Sequence, residues 1–303
     1  MVGMGAFFGS SRDLAAFERT IYDGRQHFIP IPTHRWQGIE NQPQLLRDYG
    51  FEPQGEGEAP EGAYIENFEI DALYARIPPN EADKLNPQQL LLLKVADNAL
   101  RDAGLAEGGN VAVIIAMGTE LSLHRPLARY HLSWQIKESL ARANIALPPV
   151  EVAELESIVK ESVHPPIQTN EYVSMIGNIM ASRISTLWNF SGPSFTLSAE
   201  ENSTFKALEV AQMLLATGEV DAVLVGAVDL AGGVENVLLR NQIAPLNTGA
   251  KTMSYDQNSN GSLVGEGAGA VVLKPYDRAK SEQARIYAVI DTISIIHQQP
   301  QAA

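Results

Sequence analysis

The residues of this chain best suited to chemistry lie in 198–203, where two adjacent carboxylates are flanked by hydroxyl and amide side chains. Alternating apolar residues before this segment predict a buried strand. A helix is predicted after it, over 199–217, because Ser198 and Glu201 have the spacing of a capping box and Gly218 supplies a stop. A strand that turns directly into a helix places its first helical side chains at the positive end of the helix dipole. A thiolate or an oxyanion would be stabilised there.

Glu201 has two interpretations at this position. As a helix cap it would close a box with Ser198 and contribute about 0.5–2 kcal/mol to stability. As a functional carboxylate its charge would be favoured by the helix dipole and disfavoured by the neighbouring Glu200. Neither effect makes a carboxylate a good nucleophile for acyl transfer. We call the tight turn between the predicted strand and the predicted helix the elbow. Glu200, Asn202 and Ser203 are assigned with Ser198 to this elbow and to the helix cap.

Four motifs elsewhere in the chain accompany this elbow. They are Gly192-Pro193-Ser194 with Thr196, Leu85-Asn86-Pro87-Gln88-Gln89, Asn178 with Ala181, Arg183, Ile184 and Ser185, and Gly265-Glu266-Gly267-Ala268-Gly269. Together they resemble the N-terminal half of the β-ketoacyl synthase family, over nearly all of residues 1–290. Within that family the chain is most similar to the degenerate ketosynthase region of PfaB-type proteins. Those proteins belong to polyunsaturated-fatty-acid synthases and the related heterocyst glycolipid synthases, which are type I polyketide synthases.

The resemblance implies a thiolase-like α/β fold, of which this chain supplies the N-terminal half, with a mixed sheet and helices on both faces. It also places Glu201 where the family has its nucleophilic cysteine, and the chain contains no cysteine. The H-G-T-G-T and N-x-G-H motifs that supply the family's catalytic histidines are absent from the sequence. The resemblance therefore implies a domain that does not condense acyl chains. A half-fold of this kind is expected to expose an apolar face.

Three functions remain open. The first is a scaffold, an acyl-binding domain or a chain-length-factor-like domain that binds no cofactor itself and works with phosphopantetheine on a partner acyl carrier protein. The resemblance further implies a homodimer or a heterodimer with a ketosynthase-like partner, paired across 193–197, and an acyltransferase domain downstream. The alternative is a malonyl-acyl-carrier-protein decarboxylase or another acyl transferase. A hydrolase or ligand-binding domain unrelated to acyl carriers is the third hypothesis.

Composition limits the partners and the location. The formal charge of −14 argues against nucleic acid and against an anionic membrane surface. No apolar run is long enough for a membrane span, and the amino terminus lacks the pattern of a signal peptide. We therefore expect a cytoplasmic protein. The histidines lack metal-ligand spacing, so no metal site is predicted.

The organisation predicted along the chain is one ketosynthase-like domain over 1–290, followed by a linker-like tail over 291–303. Within the domain, 52–63 is predicted to be an exposed loop and 119–170 a variable helical insertion. Helices are predicted over 12–22, 87–103, 127–143, 150–163 and 175–187. Strands are predicted over 111–116, 220–228 and 285–290.

Overall fold

A five-stranded mixed sheet forms the centre of the computed structural model, which describes residues 1–36, 38–48, 61–78, 82–118, 124–247 and 256–294. Its order is β1-β7-β5-β3-β4, in which β3 is parallel to β4 and β5, and β7 is antiparallel to β1 and β5. A separate parallel ladder joins β2 to β6. The strands are β1 (Gly3–Phe8), β2 (Gly62–Ala63), β3 (Val111–Ala116), β4 (Ser194–Leu197), β5 (Ala222–Asp229), β6 (Val264–Gly265) and β7 (Gly267–Leu273).

Helices cover both faces of the central sheet, as predicted. The α-helices of the described residues are α1 (Leu14–Asp23), α2 (Pro43–Asp48), α3 (Pro87–Asp102), α4 (His124–Arg142), α5 (Pro149–Val163), α6 (Thr169–Ser174), α7 (Asn178–Leu187), α8 (Ser203–Ala216), α9 (Val234–Ile243) and α10 (Tyr276–Ser281). Helices α3 and α7 pack on one face and α8 packs on the other.

The position of β3 within the sheet explains why its sequence is apolar throughout. Val113 and Ile115 point into the core under α3 and α7, whereas Ala112 and Ile114 point into the core under α8. All six residues of the strand are buried. A parallel strand covered on both faces has no solvent side, so the alternation of polar and apolar residues disappears. The strand predicted over 111–116 is confirmed.

The start of α3 is also confirmed. Asn86 caps the helix by accepting a hydrogen bond from the N–H of Gln88 at 2.9 Å, and Pro87 occupies the first turn. Helix α3 then lies directly on β1 because Gly5 has no side chain. A Cβ atom at Gly5 would come within 2.3 Å of the carbonyl oxygen of Val95. The close approach of the helix to the strand therefore depends on glycine at this position.

Two predicted elements differ from the structure. The strand predicted over 285–290 is absent from the structure. Two hydrogen bonds join this segment to the first residue of the chain. The N–H of Tyr287 donates to the Met1 carbonyl at 3.0 Å, and the Met1 amino group donates to the Ala288 carbonyl at 2.8 Å. The helix predicted over 175–187 begins only at Asn178. The three residues before it, 175–177, form a turn that separates α7 from the short helix α6, and Gly177 packs closely against the Met117 side chain.

The structure describes part of the predicted exposed loop, 52–63, and part of the predicted helical insertion, 119–170. Residues 52–60 lie outside the described residues, and Gly62 and Ala63, predicted to be in the exposed loop, instead pair with β6. Gly62 is buried, and a Cβ atom there would meet the Val264 carbonyl and the Tyr64 ring. Of 119–170, residues 119–123 lie outside the described residues, and the rest contains the packed pair α4 and α5. Residues 291–294 have no regular structure, and 295–303 are outside the described part.

We expect Gly5→Ala to lower the free energy of unfolding by about 1–3 kcal/mol, because the added methyl group forces β1 and α3 apart. Gly265→Ala is the matched control, since a Cβ atom there meets nothing within 4 Å. It should leave stability within about 0.5 kcal/mol of the wild type. Urea unfolding followed by circular dichroism measures both values. Equal stabilities for the two variants would contradict the assigned packing of α3 on β1.

Candidate functional site

The candidate elbow lies where β4 ends and α8 begins. Strand β4 stands at one edge of the sheet, with the parallel strand β3 on its inner side. A 3₁₀ turn over Glu200–Asn202 follows, and α8 starts at Ser203. The predicted order of strand, tight turn and helix is therefore present. It brings Ser198, Glu200 and Glu201 to the carboxyl end of the strand, at the first turns that lead into the helix.

The predicted capping box between Ser198 and Glu201 is wrong. No side chain caps the 3₁₀ turn or α8 in the N-cap position. Ser203, which is buried, closes the turn instead: its hydroxyl donates to the Glu200 carbonyl at 2.6 Å and accepts the N–H of Ala199 at 2.9 Å. The α-helix starts four residues later than predicted because Glu200 has a left-handed backbone, with φ of 52°, which an α-helix does not admit.

Glu201 points to solvent at this elbow. Both Glu200 and Glu201 are exposed. Within the described residues Glu201 makes no hydrogen bond and no ion pair. A nucleophile for acyl transfer needs a lowered pKa or an adjacent base, and the structure shows no such base at Glu201 in the part of the chain it describes. The geometry of the elbow is thus present without an activated group.

The helix that follows the elbow has an apolar face that the described part of the chain leaves open. Phe205 is 57% exposed and Met213 is 63% exposed, although both are large apolar residues. Beside them, Leu208 and Leu215 line a cavity of about 270 Å³ together with Ile290. The expectation that a half-fold exposes an apolar face agrees with this surface of α8.

A buried carboxylate, Glu266, organises a second region that the sequence reasoning missed. Its side chain is only 1% exposed. It accepts hydrogen bonds from Arg35 Nη1 at 2.7 Å and from the N–H groups of Ile65 at 2.7 Å, Ala231 at 3.0 Å and Gly232 at 3.2 Å. Glu266 therefore ties together three separate segments beside a cavity of about 510 Å³.

The signal for Glu266 is present in the sequence. The Gly265–Gly269 run indicates tight strand packing, and that interpretation gives its one charged residue no role. A carboxylate inside a glycine-rich apolar strand has to be paired when it is buried. Nearby, burial raises the pKa of the Tyr64 hydroxyl above its ordinary value, and the charge of Glu266 raises it further.

Two further findings concern the described residues alone. No group of three or more histidine, aspartate or glutamate side chains converges there in a way that could hold a metal ion. Across the same ranges, none of the helices combines the length and the apolar composition that a membrane crossing requires.

Comparison with known proteins assigns the family. The family model for the β-ketoacyl synthase N-terminal domain matches residues 1–279. The match covers most of the chain and includes both the elbow and the Glu266 segment. The chain therefore belongs to the β-ketoacyl synthase family, within its N-terminal domain.

The curated relatives of this domain include subunits of large synthases. One of the subunits of the Thraustochytrium polyunsaturated fatty acid synthase is 38% identical over 294 residues, which cover 97% of this chain and 14% of that protein. The polyketide synthase PksM of Bacillus subtilis is 25% identical over 298 residues, covering 98% of this chain and 6% of that protein. The chain thus spans only a small part of the length of either relative.

Solved structures confirm the thiolase-like ketosynthase fold. The PfaC ketosynthase and chain length factor is 42% identical with a TM-score of 0.81, over 94% of this chain and 29% of that one. The ketosynthase from module 6 of the bacillaene synthase of Bacillus subtilis is 23% identical with a TM-score of 0.65, over 94% of this chain and 41% of that one. At that identity the second likeness concerns the fold alone.

We expect Glu200→Gly to stabilise the protein, because glycine adopts the left-handed backbone without the steric cost that a Cβ atom brings. A gain of up to about 1 kcal/mol corresponds to a rise in melting temperature of about 2–4 °C for a chain of this size. Glu201→Gly serves as the control, since Glu201 has no positive φ, and it should not raise the melting temperature. Differential scanning calorimetry decides between them. A lower melting temperature for Glu200→Gly would contradict a strained elbow.

Glu266→Gln should lower the free energy of unfolding by about 3–5 kcal/mol. The amide leaves Arg35 without its buried anion. It also replaces one accepting oxygen by an NH₂ group, which then faces donor N–H groups of the protein. The comparison is Glu138→Gln, the same chemical change at an ion pair with Arg142 in which both side chains are exposed, by 45% and 78%. That change should cost about 0–1 kcal/mol. Chemical denaturation of both variants tests this difference, and similar losses would contradict the central role of Glu266.

Proposed function

We propose that this chain is a non-condensing ketosynthase-like domain of a polyunsaturated-fatty-acid or related polyketide synthase, with a scaffold, acyl-binding or chain-length-factor-like role. The observation that supports the proposal is the elbow: β4 turns directly into α8, and Glu201, which the resemblance aligns with the family's cysteine, is an exposed carboxylate in that turn. A retained elbow without its nucleophile keeps the shape of an acyl site and loses its covalent step.

The electrostatics at Glu201 support a non-covalent role. Glu200 and Glu201 place two negative charges beside each other at the start of α8. The helix dipole favours this charge, and repulsion between the neighbours opposes it. A carboxylate is also a poor nucleophile towards a thioester without a base that activates it. We therefore assign Glu201 to shaping the end of an acyl pocket, with Ser198, Asn202 and Ser203 forming its turn.

The open face of α8 supports a partner that completes the fold. The family model concerns an N-terminal domain, and the solved ketosynthases extend well beyond the part that this chain matches. We assign the surface of Phe205, Leu208, Met213 and Leu215 to packing against the histidine-bearing half of a ketosynthase fold. The apolar character of this surface fits a large, permanently buried contact.

The relatives support the biological setting. One is part of a polyunsaturated fatty acid synthase and another is a ketosynthase with a chain length factor. By analogy we propose an acyl carrier protein with phosphopantetheine as the partner that delivers acyl groups, a ketosynthase-like chain as the dimer partner, and an acyltransferase domain downstream. The cytoplasmic location stays a prediction.

The test is an acyl-transfer assay with a cysteine placed at the elbow. Wild type, Glu201→Gln and Glu201→Ala are incubated with malonyl and acyl carrier proteins, and carbon dioxide release and protein mass are followed. We expect neither carbon dioxide nor a covalent acyl group in these three. Glu201→Cys should gain the mass of one acyl group, because it restores a thiol at the elbow and the chain has no other cysteine.

Thr217→Cys is the matched control for thiol reactivity, since it is exposed directly after the other end of α8. It should acquire much less acyl group than Glu201→Cys. Carbon dioxide release that depends on Glu201 would contradict the scaffold or acyl-binding role and identify the chain as a decarboxylase. Equal acylation of the two thiols would contradict an acyl-presenting role for the elbow.

A further inference from the structure

The cavity of about 510 Å³ beside Glu266 is not used by the proposed function. Its volume lies in the range of small-molecule sites, which are mostly apolar with a few polar groups that fix the ligand. The apolar part of the wall comes from Ile65, Phe68, Leu91, Met175 and Leu230. The polar groups of the wall therefore decide which ligand fits.

One polar side chain of this wall has an unused acceptor. Asn236, in the first turn of α9, is only 8% exposed and lines the cavity. Its Oδ1 atom is buried and accepts no hydrogen bond from the described residues. A buried acceptor without a donor destabilises a protein unless a water molecule or a ligand supplies the hydrogen. The group that completes this position is a donor.

The charges of the wall favour a positively charged donor. The wall carries one guanidinium and three carboxylates, those of Arg35, Glu66, Glu235 and Glu266. Its formal charge is therefore −2 when the two histidines of the wall are neutral. Arg35 is already paired with Glu266 at 2.7 Å, so its charge is not available to an anion. Glu66 is exposed, and its side chain has no partner within the described residues.

Two helix starts in the wall oppose this negative charge. Asn86–Gln88 lie at the start of α3, and Gly233–Asn236 lie at the start of α9. Each N-terminus carries about half a positive charge, so together they offset about one of the two negative charges. The N–H of Gln88 is also already bound to the Asn86 side chain. The wall therefore remains negative, and the helix starts do not make it an anion site.

We propose that this cavity binds a small organic cation, a primary amine on an apolar stem. The ammonium group donates a hydrogen bond to Asn236 Oδ1, and the stem lies against the apolar wall. A hydrogen bond from a charged donor is roughly twice as strong as one between neutral groups. The negative wall repels carboxylates and phosphates of similar size. This inference goes beyond the proposed function, whose acyl groups are delivered to the elbow.

Three probes with the same six-carbon stem test the preference for charge: hexylamine, 1-hexanol and hexanoate. Each is titrated into the wild-type chain at pH 8, where an alkylamine is charged and an ordinary histidine is neutral, and binding is followed by saturation-transfer NMR. We expect hexylamine to bind at least about tenfold more tightly than hexanol, because the hydrogen bond from a charged donor supplies that factor. Hexanoate should show no binding.

Substitution of Asn236 tests where hexylamine binds. Asn236→Asp keeps an accepting oxygen and adds a negative charge, so the affinity should rise about fivefold. Asn236→Leu removes the acceptor and should lower the affinity about tenfold. The matched control is Asn67→Asp, which adds the same charge at an exposed residue next to Glu66 but outside the wall of the cavity. It should change the affinity less than about twofold.

The inference is overturned if hexanol or hexanoate binds as tightly as hexylamine, or if hexylamine does not bind. Equal gains for Asn236→Asp and Asn67→Asp would also overturn it, because binding would then follow the overall charge of −14 and not the cavity. The melting temperature of each variant reports its folding. The comparison of the three probes uses the wild-type chain alone, so it decides the question even where a variant is unfolded. No carrier protein is present, and a failed acyl assay leaves this result intact.

Discussion

Burial of the sheet on both faces is the constraint on which the rest of the structure depends. Strand β3 has no solvent side, and its alternate residues serve two separate cores. Helices α3 and α7 must therefore lie on one side and α8 on the other. Because α8 is held against β3 and β5, the turn that enters it is held at the end of β4. The elbow is thus positioned by the core and does not require a catalytic residue to keep its shape.

The local chemistry of the elbow is consistent with this view. Its turn is closed by the buried hydroxyl of Ser203, and the exposed side chains of Glu200 and Glu201 contribute no described contact to it. Glu200 nevertheless holds a left-handed backbone, which costs a residue with a Cβ atom about 1–3 kcal/mol. Such strain persists only where surrounding packing imposes it. The turn between β4 and α8 is therefore held at a local cost, and the chain has no cysteine to present there.

The elements that the sequence predicted well are those whose signals are local and complete. The all-apolar run of β3 and the Asn86–Pro87 start of α3 each specify one structure without reference to distant residues. The capping box failed because Ser198 and Glu201 have the right spacing, while the tight turn demanded by β4 and α8 prevents the helix from beginning there. Spacing alone does not reveal a backbone dihedral angle that tertiary packing imposes.

Glu266 was missed for the opposite reason. Its partners, Arg35 and the N–H groups of Ile65, Ala231 and Gly232, lie between 34 and 231 residues away in the sequence. No local pattern identifies such a set. A charged residue in a buried glycine-rich strand indicates only that partners exist, and the fold is needed to identify them.

The two surfaces left open by the described residues differ in their chemistry, and this difference separates their roles. The face of α8 exposes large apolar side chains, with Phe205 and Met213 more than half exposed, next to the ion pair of Lys206 and Glu209. It therefore suits a contact that is buried permanently. The edge of β4 is narrow and uncharged, and one of its outward N–H groups is already held by Asn178. A contact made there gains its specificity from the register of backbone hydrogen bonds, whereas a contact on α8 gains its strength from buried area.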